Sequence, residues 1–217
     1  RDTARWLFDE VVNGLADFEK GFGIPVVGGE VFFCNAFNSS PIVNNMVIGV
    51  ARKEELLSAV AKGEGNQIAI VGVSTGSEGI DGDAFAADLI SDTDTKGIAV
   101  DYLKNVEVEV KLSKLIHKLI QKKLLIGVQP IGAQGIAGAV TEMAARGNAG
   151  VLLRTDKVPL RDPDLSPRDI LVSETWGRML LCFTPENTEK VKKLALEQGV
   201  DFGVIGEVTN DEQFSLY

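Results

Sequence analysis

Ile68-Ala69-Ile70-Val71-Gly72-Val73 runs directly into Ser74-Thr75-Gly76-Ser77-Glu78-Gly79-Ile80-Asp81-Gly82. The apolar run, residues 67–73, reads as a strand buried on both faces. A strand that empties into glycines and acids and then enters a helix is how α/β proteins hold phosphate and magnesium. Glycine leaves the backbone bare where a ligand approaches. Asp83 then caps a helix carrying Phe85, Ala86, Leu89 and Ile90. A second glycine block, Gly28-Gly29-Glu30, precedes the strand-like Val31-Phe32-Phe33. Two readings of residues 74–82 stay open. Either Glu78, Asp81 or Asp83 ligates metal and the backbone N–H groups bind phosphate, or the glycines serve only the geometry of a surface loop. Glu30 is likewise either a ligand or a solvent-facing residue at a strand start.

Outward from these blocks, residues 3–18 form an amphipathic helix with Trp6, Leu7, Val11, Leu15 and Phe18 on one stripe, broken at Gly21. Residues 26–33 and 44–50 are strand candidates, and 54–62 a short helix stopped by Gly63. The polar stretch 91–97 is the linker candidate. Asn105 caps a long helix whose Leu112, Leu115, Ile116, Leu119 and Ile120 make a clean apolar face. Strands are expected at 124–128, 150–154, 178–183 and 204–208. Helices are expected at 139–146, from Ser166 at the N-cap with Pro167 at N1, and from Thr184-Pro185 to about residue 198. The Gly132, Gly135 and Gly138 spacing is read as tight helix packing rather than a dinucleotide fingerprint. The pattern is α+β or α/β in two units, 1–95 and 96–217.

The 217 residues carry a net charge of −9, which argues against a nucleic-acid partner but not against a nucleotide. A 45% hydrophobic, 24% charged composition fits a globular chain, and no apolar run has the length of a membrane span. Cys34 and Cys182 read as two buried, reduced thiols of a cytoplasmic protein. The sequence opens inside a helix without an initiator Met and shows no signal peptide, which is the mark of a piece of a longer protein. His117, the sole histidine, sits beside a helix stripe as a solvated or half-buried side chain, and no nucleophile–histidine set or zinc spacing can be built. Arg154, Lys157, Arg161 and Arg168 are read as surface charge, with anion binding the alternative.

Taken in order, the segments resemble the phosphoribosylformylglycinamidine synthase family, in its synthetase subunit, within the superfamily of aminoimidazole ribonucleotide synthetase. The resemblance rests on Arg5-Trp6-Leu7, Val11-Val12-Asn13-Gly14, residues 23–31 (Gly-Ile-Pro-Val-Val-Gly-Gly-Glu-Val), residues 37–44 (Phe-Asn-Ser-Ser-Pro-Ile-Val-Asn) and Thr75-Gly76-Ser77-Glu78-Gly79-Ile80. It continues through Gly132-Ala133-Gln134-Gly135, Thr141-Glu142-Met143-Ala144, Asp156-Lys157-Val158-Pro159, Ser173-Glu174, Arg178-Met179-Leu180 and Ile205-Gly206-Glu207-Val208-Thr209. The resemblance implies a partial N-terminal, barrel-forming domain followed by a C-terminal α/β domain. It implies ATP-dependent amidation of formylglycinamide ribonucleotide in purine biosynthesis, with ATP and magnesium as cofactors, a glutaminase partner and a homodimer paired through N-terminal domains. It places Glu174, Thr175 and Tyr102 at the substrate and Gly28, Gly29, Glu30, Ser74, Thr75 and Gly76 beside the nucleotide phosphates. No catalytic residue is expected in this stretch, and no metal ligand is assigned.

The departures from the family pattern are as specific as the matches. Tyr102-Leu103-Lys104-Asn105-Val106 stands where the family has Gln-x-Gly-Asp-Pro. Pro130 replaces a magnesium-binding aspartate. The Glu-Ser-Gln substrate triplet reads Glu174-Thr175-Trp176, and Ser77 replaces an arginine. The chain is therefore expected not to be catalytically competent alone. Two alternatives to the synthase reading remain: a degenerate, non-catalytic homologue kept for assembly or regulation, and a superfamily relative acting with ATP on another small phosphorylated substrate.

Overall fold

The apolar run forms strand β1, Gln67–Gly72, and every residue of it after Gln67 is buried. The structure is a computed structural model that describes residues 2–37, 42–80 and 106–217. Helix α1 is Asp2–Phe22 and α2 is Val106–Gln121. Strand β2, Gly127–Pro130, helix α3, Gly135–Gly147, and strand β3, Gly150–Leu153, follow. Helix α4, Pro167–Val172, leads to strand β4, Arg178–Phe183. Helix α5, Thr188–Gln198, strand β5, Asp201–Thr209, and strand β6, Phe214–Leu216, complete the chain.

Among the described residues the six strands form one open sheet in the order β2-β4-β1-β5-β3-β6. β1 pairs antiparallel with β4 on one side and with β5 on the other, and only β3 with β6 is parallel. The unbroken apolar character of β1 follows from its central place. Ile68 and Ile70 face Ile136, Val140 and Met143 of α3, together with Ile170 of α4. Ala69 and Val71 point the other way, to Leu112, Leu115 and Leu119 of α2 and Val191 and Ala195 of α5. β4 divides in the same manner, Leu180 and Cys182 to the first layer and Leu181 and Phe183 to the second. This is a mixed α/β architecture with helices on both faces of an open sheet.

The chain divides into compact units at Arg1–Arg52 and Lys53–Tyr217. The division expected near residue 95 does not coincide with this one, because β1 is the middle of the second unit's sheet rather than part of the first. The linker expected at 91–97, the helix capped by Asp83 and the Asn105 cap lie outside the described residues.

The first unit contains α1, which runs through Gly21 and ends at Gly23. The strands expected at 26–33 and 44–50 are absent: the described residues there are unpaired, with one 3-10 turn at Asn35–Phe37. A strand needs a neighbour for its N–H and C=O groups, and this unit supplies none among its described residues. Cys34 is exposed for the same reason, whereas Cys182 is buried as expected.

In the second unit the helix expected at 54–62 is replaced by a 3-10 turn, Lys53–Glu55, and an irregular run. Tertiary partners take that run's backbone groups: Ala61 N–H donates to the Met143 carbonyl and Val128 N–H to the Ser58 carbonyl. Gly127 permits this approach, since a Cβ there would collide with the Val60 carbonyl oxygen. The strand expected at 124–128 begins later, at Gly127. Leu124 N–H still bonds back to the Leu119 carbonyl, so the helix exit extends past Lys123. Ser166 caps α4 with a reciprocal Asp169 contact and Pro167 in the first turn, as its sequence signature requires.

Candidate functional site

β2 and β4 run antiparallel with Pro130 opposite Met179, and Ile131 N–H donates to the Arg178 carbonyl at 3.1 Å. This register sets the chain leaving β2 beside the chain entering β4. Gly132 and Ala133 from the first, with Glu174 and Trp176 from the second, line a surface pocket of about 310 Å³. Glu174 is thus brought to a concave surface. Trp176, in the position where the family pattern has glutamine, forms an exposed part of the same wall.

Behind the pocket, two segments are stitched around one buried cation. Arg178 is 2% exposed. Its Nε donates to the Thr175 carbonyl at 2.7 Å, one terminal nitrogen to Thr75 Oγ1 at 2.8 Å and the other to the Ser173 carbonyl at 2.7 Å. Burial pulls its pKa down to about 10, against the opposing pull of the Glu78 charge. The guanidinium therefore stays protonated at neutral pH with its fork filled by protein acceptors.

Thr75, Gly76 and Thr175 belong to this framework. Thr75 is fully buried and Thr175 is 1% exposed. Thr75 N–H donates to the Pro159 carbonyl at 2.8 Å, Gly76 N–H to Thr175 Oγ1 at 2.9 Å and Ser77 N–H to an Asp162 carboxylate oxygen at 2.8 Å. The backbone donors that could cradle a phosphate are thus aimed at internal acceptors, one of them a carboxylate. Ser74 Oγ donates to Asp201 Oδ2 at 2.5 Å. Gly28, Gly29 and Glu30 are exposed and lie outside any helix or strand, in the first unit. Tyr102 lies outside the described residues.

Glu78, one of the candidate metal ligands, accepts from Thr175 Oγ1 at 2.7 Å and pairs with Arg161 at 2.6 Å. Burial alone would push its carboxyl up. The Thr175 hydrogen bond and the Arg161 guanidinium outweigh that and hold it below the ordinary carboxylate value. Arg161 also bonds to Asp162, so it serves an internal cluster rather than a free anion site. Arg154 lies over the Tyr217 ring, Lys157 pairs with Asp156 and Arg168 with Asp169. Exposed His117 bonds to Gln121.

Pro130 ends the edge strand β2, where it offers no side-chain oxygen. Among the described residues no three His, Cys, Asp or Glu side chains group so as to hold a metal ion. Asp81 and Asp83 lie outside the described residues. The described donors therefore do not assemble a magnesium site.

Sequence reasoning missed Arg178 as the hub. Its signal is a charged residue opening the otherwise apolar run Met179-Leu180-Leu181-Cys182-Phe183, which is tolerable only if the charge is buried with partners.

Residues 1–51 match the N-terminal domain, and residues 63–217 the C-terminal domain, of AIR synthase related protein. The chain belongs to the AIR synthase related family. It is 38% identical over 209 residues to the phosphoribosylformylglycinamidine synthase subunit PurL of Leptospira biflexa, covering 95% of this chain and 28% of the relative. A structure of Thermotoga maritima PurL complexed with FGAR matches with a TM-score of 0.84 at 28% identity, over 96% of this chain and 35% of the other. The same protein complexed with ATP matches at 0.77 with 26% identity, over 96% and 33%. A PurLQS structure from Thermotoga maritima matches at 0.76 with 25% identity, over 95% and 33%. The chain thus spans about 28% of the length of the curated relatives it matches. Among the described residues no helix is long and apolar enough to cross a membrane.

Proposed function

We propose that this chain is part of a phosphoribosylformylglycinamidine synthase-like ligase of purine biosynthesis. In this reading the pocket at Gly132, Ala133, Glu174 and Trp176 is one wall of its site for formylglycinamide ribonucleotide. The observation that carries the proposal is the likeness, over 96% of the chain, to PurL complexed with FGAR. The whole protein's reaction is the ATP-dependent amidation of that substrate, with ATP and magnesium as cofactors and ammonia from a glutaminase partner. It is cytoplasmic and pairs with a second copy through its N-terminal domain.

Within this stretch the chemistry is recognition. The Glu174 carboxylate offers acceptors to substrate hydroxyl or amide N–H groups, and Gly132 lets the ligand approach the backbone. The N–H groups of Thr75, Gly76 and Ser77 build the scaffold behind it. The catalytic groups are supplied from outside this stretch, and the chain alone does not turn over.

A second reading, a non-catalytic homologue that keeps the fold for assembly or regulation, is favoured by one specific observation. The N–H groups of Thr75, Gly76 and Ser77 are taken by internal acceptors, and Pro130 lacks a ligand oxygen. Calorimetry with formylglycinamide ribonucleotide separates the two. The first predicts binding that Glu174→Gln weakens by roughly 10- to 100-fold, the loss of a charge-assisted hydrogen bond. Absence of binding supports the second, and equal binding by Glu174→Gln removes Glu174 from the substrate contact.

A further inference from the structure

Glu174 sits at the pocket end of a short relay of interactions. Its own N–H donates to the Glu78 carbonyl at 2.8 Å. Gly79, at φ +67°, lies under its side chain: a Cβ on Gly79 would stand 2.5 Å from Glu174 Cβ and 2.6 Å from Oε2. Both approaches depend on where residues 78 and 79 are held. The Glu78 carboxylate is clamped from two sides, by Thr175 Oγ1 at 2.7 Å and by Arg161 at 2.6 Å. Arg161 comes from a third segment, tied to the loop through its own N–H to the Thr75 carbonyl at 2.8 Å. The Arg161 side chain is 47% exposed, so it is not part of the apolar core.

We propose that Glu78 and Arg161 are positioning residues. Their ion pair fixes the 78–79 backbone, which in turn aims the Glu174 carboxylate into the pocket with Gly132, Ala133 and Trp176. The proposal deepens the substrate reading above and rests on it for the ligand's identity. It also gives the acid in the glycine loop a role other than metal ligation: its carboxylate is engaged by Thr175 and Arg161. Gly79 works from the opposite side, since any side chain there takes the space of Glu174 and strains the backbone.

The test is the nuclear Overhauser effect between the Gly79 α-protons and the Glu174 side chain in the 217-residue chain, which reads the aim without any ligand. Wild type shows the effect. It disappears in Arg161→Met and Glu78→Gln, and Arg161→Lys, which keeps a cation, restores it. The amide shifts of Leu181 and Phe183 stay unmoved in all three, which reports an intact sheet. Gly79→Ala displaces Glu174 with the clamp present. Persistence of the Overhauser effect in both Arg161→Met and Glu78→Gln overturns the proposal, as does its equal weakening in Arg161→Lys and Arg161→Met. Titration of formylglycinamide ribonucleotide into the same proteins keeps the two readings apart. If the effect vanishes in the variants while wild type binds no ribonucleotide, the substrate reading falls and the positioning roles stand. If the effect persists in the variants, the positioning roles fall whatever the ribonucleotide does.

Discussion

The first 52 residues and the rest of the chain use the same apolar vocabulary with opposite results. Val27, Phe33 and Val50 are 93%, 85% and 101% exposed, whereas Leu180, Leu181 and Phe183 are fully buried. Both stretches have strand-forming composition. The difference is the supply of partners. β4 has β1 and β2 on its flanks and helices over both faces, so its backbone groups are paired and its side chains covered. Residues 24–37 and 42–50 have no strand beside them among the described residues. Composition makes a strand available, and a neighbouring ladder makes it form.

The contrast breaks first at Arg178. Arg178→Met removes the donor for two carbonyls and the Thr75 hydroxyl, all in the interior, and is expected to destabilise the second unit by about 3–5 kcal/mol in urea unfolding. A loss below about 1 kcal/mol would mean that water replaces the guanidinium, and that the hub is not structural. Leu181→Ala comes next. It opens a cavity between β4 and α2, with an expected loss of roughly 2–5 kcal/mol by the same measurement. Ser166→Ala removes one cap from α4 and should cost about 1 kcal/mol.

The Glu78 clamp sets a pH dependence. Its folded carboxyl titrates below the ordinary value of 4.5, so the unfolded chain binds the proton more readily. The stabilisation is fully present above that value and is lost as pH falls from there through the depressed folded value. Glu78→Gln should flatten the acid limb of the stability curve, and an unchanged limb would show that the ion pair contributes nothing. The smallest effect sharpens the comparison from the other side. Phe33→Ser in the first unit should change unfolding free energy by no more than about 0.5 kcal/mol. A large loss would show that this segment has a partner layer after all.

Much of the second unit is legible from its sequence. β4 is read at Arg178–Phe183 because charge, apolar run and the following Thr184-Pro185 mark both ends. The α4 cap is legible because Ser166, Pro167 and Asp169 form a local signature. The run at 54–62 misleads, since its helical spacing is overridden by hydrogen bonds to Ser58 and from Ala61 that no local pattern announces. β6 has only three residues and is defined by pairing with β3, so no periodicity reveals it. Of the site, Glu174 and the glycine turn at 132–135 are legible as motif members. That Thr75, Gly76 and Thr175 turn inward to Arg178 is a long-range arrangement, with partners about a hundred positions apart, and only the fold displays it.

Amide hydrogen exchange of the chain, with and without formylglycinamide ribonucleotide, tests the central claim most directly. The account predicts strong protection in β1 and β4, fast exchange throughout 24–37, and ligand-induced slowing confined to residues 132–135 and 174–176. Slowing at residues 28–30 or 75–77, with the pocket loops unchanged, would contradict it.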